Sequence, residues 1–266
     1  MSAVSAQFIQ ANSVLLAFQA LLVALTGAGV PRWITRAASR GWALILPLSI
    51  AFVVAGIEVV PQLADALTWI ALLLVPPGAA LALGWALTGA RPAYALLAVP
   101  LLVLAWAGTG TLAGDAAAAL LTALSAATVG RLLAGVVPAI YLKAGLVAFA
   151  VIDAILVFGN QLQAPNATLN AAVPAPGAPQ LQFLDLHHAS MGYGDVFVAG
   201  VLGAVLAVEG RRRWPVALAV FVFAALWDLL FLIDSINTLP ASVPVAAALL
   251  VSEAWSARMR VTAPKV

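Results

Sequence analysis

The stretch MGYGDVFVAGVLGAVLAV, residues 191–208, combines an apolar run long enough for a membrane helix with one acid, Asp195, near its start. A second acid, Asp153, lies inside another apolar run, AVIDAIL at 150–156. A charged side chain near the centre of a bilayer costs about 2.5 to 3.5 kcal/mol, so acids at such positions usually face a protein interior and have a function. We therefore expect Asp153 and Asp195 to form a catalytic pair.

The composition is that of a polytopic membrane protein. The 266 residues are 64% hydrophobic and only 8% charged, and the mean hydropathy is +1.10. The net charge of +2 comes without a basic stripe interleaved with aromatic residues, so no nucleic-acid partner is expected. The chain has no cysteine, which excludes disulfides, thiol nucleophiles and thiolate metal sites. We expect no cofactor and no bound metal.

Hydrophobic runs of about 17 to 25 residues predict membrane-spanning helices. Nine such runs predict an all-α transmembrane bundle, with residues 1–140 as a scaffold and residues 141–266 as a catalytic part. The turn between the fifth and sixth runs stays open, because either Arg131 or Lys143 marks it, with Pro138 as a possible break or kink. The runs lie near residues 14–30, 42–60, 64–87, 93–112, 116–137, 144–159, 191–208, 214–233 and 240–255.

Cationic residues follow every second predicted helix, and acids without Lys or Arg occupy the other connections. By the positive-inside rule this predicts a multi-pass protein of a prokaryotic cell membrane, surrounded by lipid, with its N terminus outside and its C terminus in the cytoplasm. Residues 1–13 carry no Lys or Arg, so no cleaved signal peptide is expected. The run Arg211 to Arg213 is interpreted as an anchor to lipid headgroups that binds nothing specific.

The longest connection between predicted helices, residues 160–188, is rich in proline and carries no charge before Asp185. We expect a flexible, extracytoplasmic linker. Alternation at 180–186 predicts either a short strand, which could pair with an extended substrate, or the end of an unstructured segment. Adjacent side chains of an extended segment point to opposite faces, so His187 and His188 are interpreted as an interfacial or pH-sensitive pair rather than metal ligands.

Two carboxylates that share one proton can hydrolyse a peptide bond without a metal, because one activates water while the other protonates the carbonyl oxygen. Gly192 and Gly194 remove side chains beside Asp195, which leaves room for a substrate backbone and permits unusual dihedral angles. The segment LPASVP at 239–244 opens the ninth run with two prolines, and such backbone lacks donors for regular pairing and can line a cavity.

The order of these elements resembles the presenilin and signal peptide peptidase family of intramembrane aspartyl proteases. The resemblance covers mainly residues 144–255: Asp153 matches the aspartate of the family's Tyr-Asp motif, residues 192–195 match Gly-x-Gly-Asp, and Pro240-Ala241 matches the start of Pro-Ala-Leu. The chain departs from the family in having Ile152, Tyr193 and Ser242 where tyrosine, leucine and leucine are usual.

The resemblance implies a presenilin-like fold and an endopeptidase that cuts transmembrane segments or signal peptides. The predicted orientation is similar to that of the signal peptide peptidase branch, which cuts type II membrane segments. The resemblance implies no particular oligomeric state. It implies that Asp153 and Asp195 are catalytic and that the surrounding motif residues support the active site or bind substrate: Gly192, Tyr193, Gly194, Pro240, Ala241 and Ser242.

Two alternatives remain. Type IV prepilin peptidases also carry Gly-x-Gly-Asp, although they usually have lysine where Phe197 stands here and their active site faces the cytoplasm. A proton-coupled transporter would also use buried acids and broken helices, and Asp228 and Asp234 in the eighth run favour that class. For Asp228 we prefer a polar contact within the bundle, and for Asp234 an interfacial position.

Overall fold

The computed structural model describes residues 6–233, 236 and 238–262, and among them nearly all regular structure is helical. Two short strands are the exception. Short 3-10 or π segments extend several helices, at Arg40–Leu44, Ala82–Ala86, Pro92–Leu97 and Asp228–Leu232. The α-helices are α1 (Ala6–Leu25), α2 (Arg32–Thr35), α3 (Ile45–Val59), α4 (Leu63–Leu81), α5 (Ala98–Ala107), α6 (Leu112–Val136), α7 (Ala139–Phe158), α8 (Gln163–Ala171), α9 (Tyr193–Val208), α10 (Arg213–Trp227) and α11 (Ser242–Thr262).

Six helical segments of the described chain are long and apolar enough to cross a membrane, which indicates an integral membrane protein. Each of the nine predicted runs corresponds to a helical segment, but 92–107 and 193–208 are shorter than a typical span. The prediction of nine spans therefore remains a prediction. The six spans are Gln7–Leu25, Arg40–Val59, Leu63–Ala86, Leu112–Val136, Ala139–Phe158 and Arg213–Leu232.

Helix α6 lies at the centre of the bundle. In its most apolar stretch 67% of the residues are buried, compared with 22% to 39% in the other five candidate spans. Its closest neighbour is α9, and the two backbones nearly touch: a Cβ atom on Gly200 would lie 2.8 Å from the Ala126 carbonyl oxygen, and one on Gly130 would lie 2.5 Å from the Gly200 carbonyl carbon. Glycine at both positions permits this approach, as is common between membrane helices.

A second glycine of α9, Gly203, permits a close approach of another helix. A Cβ atom on Gly203 would lie 2.6 Å from the Leu22 carbonyl oxygen, so α1 packs directly against the α9 backbone. Helix α9 is thus held between α6 and α1, and every residue from Val196 to Leu206 is buried. This packing fixes the position of the first turn of α9, which carries Asp195.

The turn between α6 and α7 falls at Val137 and Pro138, so α7 begins at Ala139 rather than near residue 144. The expectation of a cation at this turn is wrong, because Arg131 and Lys143 both lie inside helices. Pro138 precedes α7 with a φ of −59°, the value to which its ring restricts it, and an extended ψ of 136° that separates the two helices.

The connection at 160–188 is more ordered than its proline content predicts. Residues Gln163–Ala171 form the nine-residue helix α8, whose first turn accommodates Pro165 without losing an intrahelical hydrogen bond. The predicted strand is present as β1 (Phe183–Asp185), which pairs antiparallel with β2 (Ser190–Gly192). This hairpin leads directly into α9.

Charged side chains join the start of α7, the residues that follow α9 and the middle of α11, away from Asp153 and Asp195. The Lys143 ammonium lies 2.5 Å from a Glu209 carboxylate oxygen and 3.0 Å from one of Glu253. Arg211 pairs with Glu209 at 3.5 Å and contacts Glu253 directly. We call Lys143, Glu209, Arg211 and Glu253 the charged cluster.

The interpretation of Arg211 to Arg213 as an anchor without specific partners is wrong for two of the three residues. Besides its carboxylate partners, Arg211 donates to the Ser252 carbonyl oxygen at 2.8 Å. Arg213 donates to the Thr26 carbonyl oxygen at 2.5 Å, at the end of α1. Arg212 is exposed. The arginines therefore connect helix ends within the protein.

Candidate functional site

Three helices bring the predicted catalytic residues together. Asp153 lies on α7, Asp195 lies in the first turn of α9, and both carboxylates face the backbone N–H of Ser242, the first residue of α11. The Ser242 hydroxyl also donates to Asp153 Oδ2 at 2.5 Å. Asp153 is 6% exposed and Ser242 1% exposed, whereas Asp195 is only partly buried. The site is therefore closed on the side of Asp153, and the exposed residue beside Asp195 is Gly192.

The two carboxylates lie close enough for their charges to repel each other. Within the described residues neither forms an ion pair with Lys, Arg or His. Like charges that share a poorly hydrated site bind one proton between them and titrate as a pair. Such a pair can supply a general base and a general acid at once.

The two glycines beside Asp195 have different surroundings. A Cβ atom on Gly194 would lie 2.9 Å from Cζ of Phe149, so this glycine lets α7 and α9 approach each other. Gly192 is exposed, and the only atom near an added Cβ would be Asp195 Oδ2, at 3.3 Å. The less crowded of the two positions beside Asp195 is therefore Gly192. Neither glycine adopts a positive φ, so the unusual dihedral angles that the sequence suggested are not used.

Tyr193 does not line the carboxylate pair. Its hydroxyl lies 3.2 Å from the Ser125 hydroxyl on α6, and its ring stacks on Phe197 at 6.5 Å between centroids. The side chain therefore attaches the start of α9 to α6. Its contribution to the site is to position this turn.

Pro240 and Ala241 lie immediately before Ser242 and share in the site through the backbone. Pro240 is buried, and the Ala241 carbonyl oxygen accepts a hydrogen bond of 2.9 Å from Gln19 Nε2. The same nitrogen donates to the Asp195 carbonyl oxygen at 3.2 Å. Gln19 was not singled out from the sequence, although an amide within the apolar run VLLAFQALLVAL at 14–25 was a usable signal.

The hairpin that precedes α9 carries a separate polar group. His187 Nδ1 lies 2.9 Å from Asp115 Oδ2 at the start of α6, and His187 has a positive φ of 61°. Burial and the nearby charge of Asp115 raise the pKa of the Asp185 carboxyl. No group of three potential metal ligands occurs in the part of the chain that the structure describes.

Of the predictions for the two acids of the eighth run, the structure tests the one for Asp228 and does not reach the one for Asp234. Asn12 Nδ2 on α1 donates to Asp228 Oδ2 at 2.5 Å, which is the polar contact within the bundle that we expected. Asp234 lies outside the described residues. Asp228 is therefore joined to α1, and none of its hydrogen bonds reaches Asp153 or Asp195.

Comparisons with protein-family models, with curated proteins and with solved structures find no match. The class of protein is thus defined by the fold and the site alone. The chain is an all-helical protein with apolar helices of membrane-spanning length, and a pair of carboxylates meets between three of its helices.

Proposed function

We propose that this protein is an intramembrane aspartyl endopeptidase that hydrolyses peptide bonds in transmembrane segments or signal peptides. The observation that carries the proposal is the meeting of Asp153 and Asp195 at the amide of Ser242, with no cation paired to either carboxylate in the described chain. A structural pair of charges inside a bundle would be expected to have opposite signs. Two like charges that share a proton are instead suited to acid and base catalysis.

The unequal contacts of the two acids suggest how the proton is shared. A hydroxyl that donates to a carboxylate stabilises the ionised form, and only Asp153 receives such a bond from Ser242. In the proposed mechanism Asp153 is the ionised base that takes a proton from water. Asp195 is the protonated acid that donates to the carbonyl oxygen of the scissile bond.

The proposed substrate approaches from the side of Gly192, which is exposed and lies beside Asp195. Strand β2 exposes Ser190 and Gly192 and continues into the turn that carries Asp195. An extended peptide that added along this strand would place its backbone beside the acid. We propose an N terminus outside and a C terminus in the cytoplasm, which favours substrates of type II orientation.

Cleavage of a fluorescent type II membrane peptide by the purified protein in liposomes tests the proposal. We expect wild type to cut the peptide, and Asp153→Asn and Asp195→Asn each to lower kcat by about 1000-fold or more, because neither a lone acid nor a lone base completes the reaction. Asp228→Asn is the matched control, since it makes the same change at a membrane acid outside the pair, and it should retain activity.

Three results would overturn the proposal. The folded wild type could cut none of several peptides between about pH 4 and 8. Either Asp153→Asn or Asp195→Asn could keep full activity, or Asp228→Asn could lose as much activity as they do. In the first case proton-coupled uptake into the same liposomes would be measured, with Asp228 as the residue under test.

A further inference from the structure

Gln19 is a polar residue of α1 that lies against the site from outside the region carrying the predicted motifs. It is 0% exposed, although it sits in a helix of mostly apolar residues. Its Nε2 donates both to Asp195 O and to Ala241 O, at 3.2 and 2.9 Å. One amide group thus bridges the turn that carries Asp195 and the residue that precedes Ser242.

The orientation of this amide is determined by its partners. Both contacts are carbonyl oxygens, so only the nitrogen of the amide can face them. Gln19 Oε1 is then buried without a hydrogen-bond partner among the described residues. A buried acceptor left unpaired destabilises a fold, so an apolar residue would be preferred here if packing alone decided the position.

We propose that Gln19 is a positioning residue that holds the Asp195 and Ala241 segments at the separation required for catalysis. The inference rests on the proposed protease function. Because Ala241 precedes Ser242, a bond to its carbonyl oxygen also fixes the amide and hydroxyl that contact Asp153. The bridge therefore sets the distance between the base and the acid without touching the substrate.

Gln19→Met tests the bridge, since it keeps the length of the side chain and removes both donors. We expect kcat to fall about 10- to 100-fold while KM stays within about threefold, because misplacement by a fraction of an ångström affects the transition state more than substrate binding. Thr26→Val is the matched control. It removes a buried hydroxyl immediately after α1 whose hydrogen bond, within the described residues, goes to Leu22 O, and kcat should not change.

Gln19→Glu gives a second readout that a purely structural residue would not produce. An ionised carboxylate cannot donate to two carbonyl oxygens, whereas the neutral acid can donate to one of them. The activity of this variant should therefore fall more steeply than that of wild type as the pH rises. A profile parallel to that of wild type would contradict the bridge.

Hydrogen exchange provides a second measurement of the Gln19 bridge that does not depend on proteolysis. In Gln19→Met we expect faster exchange confined to residues 193–198 and 241–246, and no change there in Thr26→Val. Unchanged exchange with unchanged kcat would overturn the proposal, as would acceleration spread evenly over the bundle. If wild type cuts no peptide, the protease proposal fails, and the exchange result alone decides whether Gln19 bridges the two segments.

Discussion

The helices α7, α9 and α11 meet at two places about 15 to 20 Å apart along their axes, and these two places are built in opposite ways. At one, the charged cluster combines two cations with two carboxylates. At the other, Asp153 and Asp195 meet without an opposite charge. Opposite charges at the first place compensate each other and stabilise the helix arrangement, whereas the two acids at the second have no opposite charge among the described residues, as the proposed reaction requires. Functional sites commonly break the rules that the rest of a fold obeys.

The largest change in stability is expected from a substitution in the charged cluster. Lys143→Met leaves Glu209 and Glu253 close together with only Arg211 between them. Loss of one partner from a buried pair costs about 3 to 5 kcal/mol, and partial exposure of these side chains reduces the expected loss to about 2 kcal/mol. Thermal unfolding in detergent measures it. Arg212→Met, an exposed neighbour, should change the melting temperature little, and an equal loss there would break the comparison.

Ser242→Ala tests the contact that distinguishes the two acids. Without the hydroxyl, the negative charge on Asp153 loses its side-chain donor, and we expect kcat to fall about tenfold, which corresponds to about 1.4 kcal/mol. Ser242→Thr keeps the donor and should retain most of the activity. Ser252→Ala, which removes a hydroxyl bonded within α11 itself, is the control. Peptide cleavage rates measure all three, and wild-type activity in Ser242→Ala would contradict the assigned roles.

A substitution at the acid pair should have the opposite sign. Asp195→Asn replaces a carboxyl that has to take up a proton on folding with an amide that is neutral in both states, so we expect the free energy of unfolding at neutral pH to rise by about 1 kcal/mol while activity is lost. Denaturation followed by circular dichroism measures the change. Asp228→Asn should give no such gain, because Asp228 already accepts a hydrogen bond from Asn12. Destabilisation by Asp195→Asn would show that the pair stabilises the fold.

The smallest effect on stability is expected in the hairpin of β1 and β2, from the titration of Asp185. Because the pKa of Asp185 is raised in the folded protein, the folded state binds this proton more tightly than the unfolded chain does. The resulting stability is fully present below the ordinary value of 3.8 and is lost as the pH rises through the raised value. Hydrogen exchange of residues 183–192, corrected for its intrinsic pH dependence, should show weaker protection at neutral pH. Asp185→Asn should remove that dependence, and an unchanged slope would contradict it.

The sequence predicted those features that depend on local composition. Apolar runs predicted the helices, alternation at 180–186 indicated a strand as one of two alternatives, and the cost of an acid in lipid directed attention to Asp153 and Asp195. Contacts between distant segments were not predictable in this way. Gln19 bonds to Asp195 and to Ala241, 176 and 222 residues further along the chain.

The partners of the charged residues were likewise not predictable from local sequence. Arg211 looked like an interfacial anchor because its partner Glu253 belongs to another helix, and only the packing of α9 against α11 brings the two together. Helix α8 was missed for a different reason. The prolines of the connection at 160–188 suggested a flexible linker, but Pro165 falls in the first turn of α8, where the missing N–H costs nothing.

The near contact of α6 and α9 at Gly130 and Gly200 leaves no space for a side chain at either position. Asp195 lies about 7 Å from Gly200 along the helix axis. A side chain at position 200 would therefore push α9 away from α6 within two turns of the acid, so two residues that have no side chain set the spacing of the helices beside Asp195.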